Sequence, residues 1–99
     1  MITIWKFPLA VTDDQTVSMP EGARVLTVQV QYETPCLWAM VDTEKPLVDH
    51  LIHIAGTGHP LPLQNVGWGQ YVGSFQRLGG SLVFHVFDIE RYPASSSPV

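Results

Sequence analysis

Apolar and polar positions alternate along most of this chain with a period of two, the repeat of extended strands. Ile2-Thr3-Ile4-Trp5-Lys6-Phe7 alternates with β-branched and aromatic residues and stops at Pro8, which predicts a first strand. Gln15-Thr16-Val17-Ser18-Met19 predicts a second, entered through Thr12-Asp13-Asp14 and closed by a turn at Pro20-Glu21-Gly22. From Arg24 to Tyr32 the alternation assigns Leu26, Val28, Val30 and Tyr32 to a buried face and Thr27, Gln29 and Gln31 to the other. Glu33-Thr34-Pro35 then turns the chain into a nearly continuous apolar strand from Cys36 to Val41, with Trp38 expected inside. The charged cluster Asp42-Thr43-Glu44-Lys45-Pro46 is expected as an exposed loop.

Leu47, Leu51 and Ile54 have helical spacing, but Gly56, Gly58 and Pro60 leave no room for a third turn. The β-rich run Leu51-Ile52-His53-Ile54 favours a strand over about residues 49–56. A long Gly/Pro-rich loop follows over 56–69; loops of that length inside small domains are usually either functional or disordered, and Trp68 and the prolines argue for order. Gln70 to Leu78 and Ser81 to Glu90 form a hairpin across Gly79-Gly80, since paired glycines supply the positive φ of a tight turn. A two-residue turn sets Phe75 opposite Phe84, Gly73 opposite Val86 and Arg77 opposite Leu82. Phe75, Leu82, Phe84 and Val86 then face the core. Val72, Ser74, Gln76, Val83, His85, Phe87 and Ile89 form the other face, apolar enough to suit a partner or ligand. The expectation is an all-β fold, a small antiparallel β-barrel or β-sandwich of about seven strands. Residues 1–91 make a single β domain, and 92–99 a disordered C-terminal tail rich in serine and proline.

Composition sharpens this picture. Charged residues make up only 14% of the 99 positions, against about 25% in ordinary globular domains. A lightly charged surface on so small a domain points to coverage by another chain, hence a homo-oligomer, or by a ligand. The net charge is −4 and the five basic residues are scattered, so no patch suits a nucleic-acid backbone. No apolar run approaches the ~20 residues of a membrane helix, and no basic segment with a long apolar run marks a signal peptide. The single Cys36 excludes an internal disulfide and suits a reducing compartment.

The candidate chemistry centres on Gly56-Thr57-Gly58-His59. Its glycines let backbone N–H groups converge on an anion, and the Thr hydroxyl and imidazole add donors. It lacks the Gly-Lys-Ser/Thr and the following helix of a phosphate loop, so a plain tight turn is the alternative. Trp68, between Gly67 and Gly69, is placed to present a ring to a ligand. Arg77 or Arg24 is a candidate source of positive charge. The histidines are His50, His53, His59 and His85. On a strand His50 and His53 point to opposite faces, and no metal site is expected. Cys36 sits in an apolar strand, and Asp88 with Glu90 reads as an exposed pair. No nucleophile, base and acid share a recognisable spacing, so no catalytic residue and no cofactor is assigned.

Taken together, Ile4-Trp5-Lys6-Phe7-Pro8-Leu9, Met19-Pro20-Glu21-Gly22-Ala23, Val28-Gln29-Val30-Gln31, Trp38-Ala39, Gly56-Thr57-Gly58-His59-Pro60 and Phe84-His85-Val86-Phe87 resemble a group of small tailed-phage and prophage proteins, a domain of unknown function. The resemblance runs almost to Glu90. It implies a phage gene expressed in the host bacterial cytoplasm, and supplies no catalytic residues. The functional expectation is a non-enzymatic binding protein that sequesters a nucleotide-like small molecule, as a counter-defence sponge, with Gly56, Thr57, Gly58, His59, Trp68 and Arg77 at the site. The alternative is a virion accessory part, or an inhibitor docking on a host protein through the Val72/His85/Phe87 face.

Overall fold

A computed structural model describes residues 1–61 and 69–89. The expected tail at 92–99 and the domain end at 91 lie outside the described residues, as does Trp68. Seven strands follow in order: β1 Ile2–Pro8, β2 Asp14–Pro20, β3 Arg24–Gln31, β4 Thr34–Asp42, β5 Leu47–Gly56, β6 Gln70–Arg77 and β7 Leu82–Ile89. Pairing is antiparallel throughout. One sheet has the order β1-β4-β3 and the other β2-β5-β7-β6. The two sheets do not close on each other, so the architecture is a β-sandwich and not a barrel.

The core lies between the sheets. Val25, Val28, Leu37, Ala39 and Val41 of the three-stranded sheet meet Met19, Ile52, Ile54, Phe75 and Val86 of the other. Phe75 stacks on its cross-strand partner Phe84, with ring centroids 5.4 Å apart. Such alternate burial along each strand is what a period of two produces when one sheet face is covered.

Two bulges change the faces expected from alternation alone. In β3 the register with β4 shifts between Val25 and Thr27, leaving Leu26 as the extra residue. Val25 therefore turns inward and Leu26 is exposed. In β6 the register with β7 shifts between Tyr71 and Gly73, so Val72 packs against the core and leaves the outward face. A bulge inserts one residue and reverses the parity of everything on one side of it. The turn between β3 and β4 also comes earlier than expected. Tyr32 and Glu33 both take positive φ, 50° and 67°, and Tyr32 is fully in solvent instead of extending the buried face of β3. Trp38 is half-buried on the outer side of its sheet, with the Lys6 ammonium 6.0 Å from its ring.

The hairpin register has Phe75 opposite Phe84, Gly73 opposite Val86 and Arg77 opposite Leu82, as expected. The turn itself is wider than two glycines. A short 3-10 turn spans Leu78–Gly80, closed by Ser81 N–H donating to the Leu78 carbonyl at 3.2 Å. Leu82, expected in the core, is exposed at its end.

Candidate functional site

The outward face of the four-stranded sheet carries a second apolar cluster. Phe87 and Ile89 are buried there, with Leu51 and Leu61 packed against them. This face is closed partly by the chain that leaves β5. His59 N–H donates to the Gly56 carbonyl at 3.0 Å, and Thr57 N–H to the Val83 carbonyl at 3.1 Å. Together these bonds fold Gly56 to His59 into a turn pinned to β7. Gly58 has φ of +88° with open space around it, so its role is the backbone angle. Gly56 has a different role. The His59 ring lies over it, and a Cβ there would stand 3.1 Å from His59 Nδ1.

Beside this turn is a half-open cavity of about 200 Å³. Its floor is Ala55 and Phe87, its wall Tyr71 and His85, and its rim Gly56 to His59 with Leu61. Strand register explains the grouping. Ala55 pairs with His85, and Tyr71 with Phe87, so four side chains of one face surround one spot. Ala55 is the smallest of them and leaves the space that its neighbours bound.

His85 links two hydroxyls across the cavity wall. Its Nε2 is 2.7 Å from Thr57 Oγ1, and its Nδ1 is 2.8 Å from the Tyr71 hydroxyl. Thr57 Oγ1 also donates to the Val83 carbonyl at 3.3 Å. A hydroxyl has one proton to give. With Thr57 donating to Val83, His85 Nε2–H donates to Thr57, and in the neutral ring Nδ1 accepts from Tyr71. The network thus places a hydrogen on Nε2. The Tyr71 ring packs on both His85 and the edge of Phe87, with centroids 5.9 and 5.3 Å away.

Four of the residues expected at the site, Gly56, Thr57, Gly58 and His59, come together at this rim. Trp68 lies outside the described residues. Arg77 stands exposed at the end of β6, on the strand face of Phe75, and is not among the residues lining the cavity. Arg24 opens β3 in the other sheet. Tyr71, His85, Phe87 and Ala55 were not assigned to this site from the sequence. The alternation already placed His85 and Phe87 on one face, but the bulge that brings Tyr71 to them is marked only by Gly73 inside the strand.

The remaining histidines do other things. His50 and His53 point to opposite faces of β5. His53 is buried, and its Nδ1 lies 2.8 Å from an oxygen of the exposed Asp14. His50 Nδ1 lies 3.1 Å from both carboxylate oxygens of Asp88, with both side chains largely enclosed. The hydrogen bond to Asp88 raises the His50 pKa above its ordinary value. Burial opposes this, and the charges of Asp88 and Asp49 reinforce it. Asp88, expected as half of an exposed carboxylate pair, is thus the enclosed partner of a histidine; Glu90 lies outside the described residues. Among the described residues no group of three or more His, Cys, Asp or Glu is placed to hold a metal ion. No helix among them is long and apolar enough to cross a membrane.

A family model for a domain of unknown function, DUF7352, matches residues 1–95. The chain belongs to that family. No curated protein and no solved structure matches it.

Proposed function

We propose that this DUF7352 chain is a non-enzymatic binding protein, and that the cavity beside Tyr71 and His85 takes a flat heteroaromatic ring such as a nucleotide base. One observation carries the reading: Tyr71, Phe87 and His85 line about 200 Å³ of half-open space beside the small Ala55. Aromatic faces stack on any base. The volume is below the roughly 300–1,000 Å³ of pockets that enclose a drug-sized ligand, so it suits a ring and not a whole dinucleotide. The remainder of such a ligand would leave past the Gly56–His59 rim, where the turn and the His59 ring supply polar contacts. The His85 network is satisfied within the protein, which fixes the wall without needing the ligand. The fuller reading is sequestration of a nucleotide-derived signal by a phage protein in its host's cytoplasm; the sequence resemblance suggests the phage setting and not the role.

Isothermal titration against nucleosides, cyclic nucleotides and ADP-ribose tests this. Heat is expected with the natural chain and its loss with Ala55→Leu, which fills the floor, while the melting temperature stays within a few degrees. Silence across the whole panel would remove the proposal, and so would binding that Ala55→Leu leaves intact.

A further inference from the structure

Among the described residues the sandwich has four edge strands, and three of them are guarded. β3 is interrupted by the bulge at Leu26 and β6 by the bulge at Val72, and these two edges also lie against each other across the sandwich. β2 carries Asp14, Thr16 and Ser18 in solvent and ends in Pro20. Bulges, charge and proline are the usual means of keeping an edge from pairing. β1 differs. It runs in unbroken register against β4, from Ile2 opposite Asp42 to Pro8 opposite Cys36. Ile2, Ile4 and Trp5 are exposed along it, at 64%, 56% and 37%. Its one charge, Lys6, is drawn back over its own sheet by a 2.7 Å hydrogen bond to Gln31 and by the Trp38 ring.

The direction of the free backbone groups follows from the ladder. Thr43 N–H donates to the Met1 carbonyl and Leu9 N–H to the Pro35 carbonyl, so odd-numbered residues of β1 bond to β4. In antiparallel pairs alternate residues point their groups the other way. Ile2, Ile4 and Lys6 therefore aim N–H and C=O away from β4, where no described residue pairs with them, and Pro8, which has no N–H, lies just beyond them.

We propose that this edge pairs with the β1 edge of a second copy of the chain, antiparallel and centred on Ile4. In that register Ile4 meets Ile4, Ile2 meets Lys6 and Thr3 meets Trp5. Every outward donor from Ile2 to Lys6 finds an acceptor, about six hydrogen bonds in all. No like charges meet. Shifting the register by one residue reverses the faces, and shifting by two brings Pro8 into the ladder opposite Ile2 and leaves a carbonyl unpaired. Ile4 is the cross-strand neighbour of Met40, itself 39% exposed, so the seam joins two Ile–Met pairs into one apolar stripe. Two three-stranded sheets become one continuous sheet. This pairing is independent of the ligand reading.

Sedimentation equilibrium of the full chain over micromolar concentrations is expected to show a monomer–dimer equilibrium. Ile4→Pro deletes an N–H that makes no bond within the protomer, at an edge position where proline is tolerated. It is expected to weaken the dimer roughly 30-fold, two strand hydrogen bonds being lost per dimer, with strand circular dichroism retained. Should Ile4→Pro fail to fold, Ile4→Lys and Ile4→Glu serve instead. Each alone is expected to be monomeric, and an equimolar mixture to form a heterodimer. Ile4→Cys is expected to cross-link on oxidation and Thr3→Cys not to, since only the former brings Cα atoms within about 7 Å; Cys36 is buried and takes no part. A monomer at every concentration overturns the proposal, as does a dimer indifferent to changes at Ile4.

Discussion

Strands β5 and β7 have two faces of nearly equal apolar content and quite different fates. Their inner residues, Ile52, Ile54 and Val86, are closed over by an entire second sheet and belong to the inter-sheet core. Over their outer residues, Leu51, Phe87 and Ile89, the described residues place no second sheet, only Leu61 of the chain leaving β5. A sheet covers a sheet without gaps, because its side chains repeat with the same period. A turn has no such repeat. Where it spans Ala55 it leaves a cavity, and polar groups from Thr57, Tyr71 and His85 enter the space around it. The same alternation therefore yields a core on one side and a candidate binding site on the other.

The sharpest way to break this comparison is to truncate neighbouring residues of β5. Ile52→Ala removes a side chain that is wholly enclosed and is expected to destabilise by about 2–5 kcal/mol. Leu51→Ala, one residue away on the half-closed face, is expected to destabilise by only about 1 kcal/mol. Urea unfolding of both variants measures the difference, and equal losses would show that the outer cluster is as well packed as the core. Next in size, Tyr71→Phe removes the donor to His85 Nδ1 while keeping the ring. A loss of about 0.5–1.5 kcal/mol is expected, and histidine nitrogen chemical shifts should report the altered Nδ1. An unchanged His85 spectrum would contradict the donation from Tyr71 to Nδ1.

The smallest effect is the pH dependence from His50. Its folded pKa is raised by Asp88, so the stability it contributes is fully present below the unfolded value of about 6.5. That stability is lost as pH rises through the raised folded value. The natural chain is therefore expected to lose stability relative to His50→Gln between mildly acidic and mildly alkaline pH, with Asp49 and Asp88 as the charges facing the ring. Parallel melting curves at the two pH extremes would show it, and a constant difference between the two proteins would refute it.

Much of the fold could be read along the chain. A strand over about 49–56 is favoured over a helix because of the β-rich run Leu51-Ile52-His53-Ile54 and the breakers Gly56, Gly58 and Pro60, and the structure has it as Leu47–Gly56. The register of β6 with β7 followed from counting outward from Gly79-Gly80, even though the turn takes in Leu78 and Ser81. Leu26, Val72 and Tyr32 were misassigned for one reason. A bulge or an early turn changes parity through backbone geometry, and only Gly73, inside β6, marks one of these three places. Tyr32 and Glu33 hold positive φ without a glycine or asparagine to announce it.

The sequence alone determined that the chain forms antiparallel strands, where most of them begin and end, and that Gly56 to His59 interrupts them. These are local matters of period, β-branching and turn residues. Only the tertiary structure decided that the sheets face each other without closing, that Asp88 meets His50, and that Tyr71 and His85 complete the space beside the turn. Those outcomes depend on which strands become neighbours and in what register, and pairing between residues far apart in the chain is set by the joint burial of two sheets, not by any one segment.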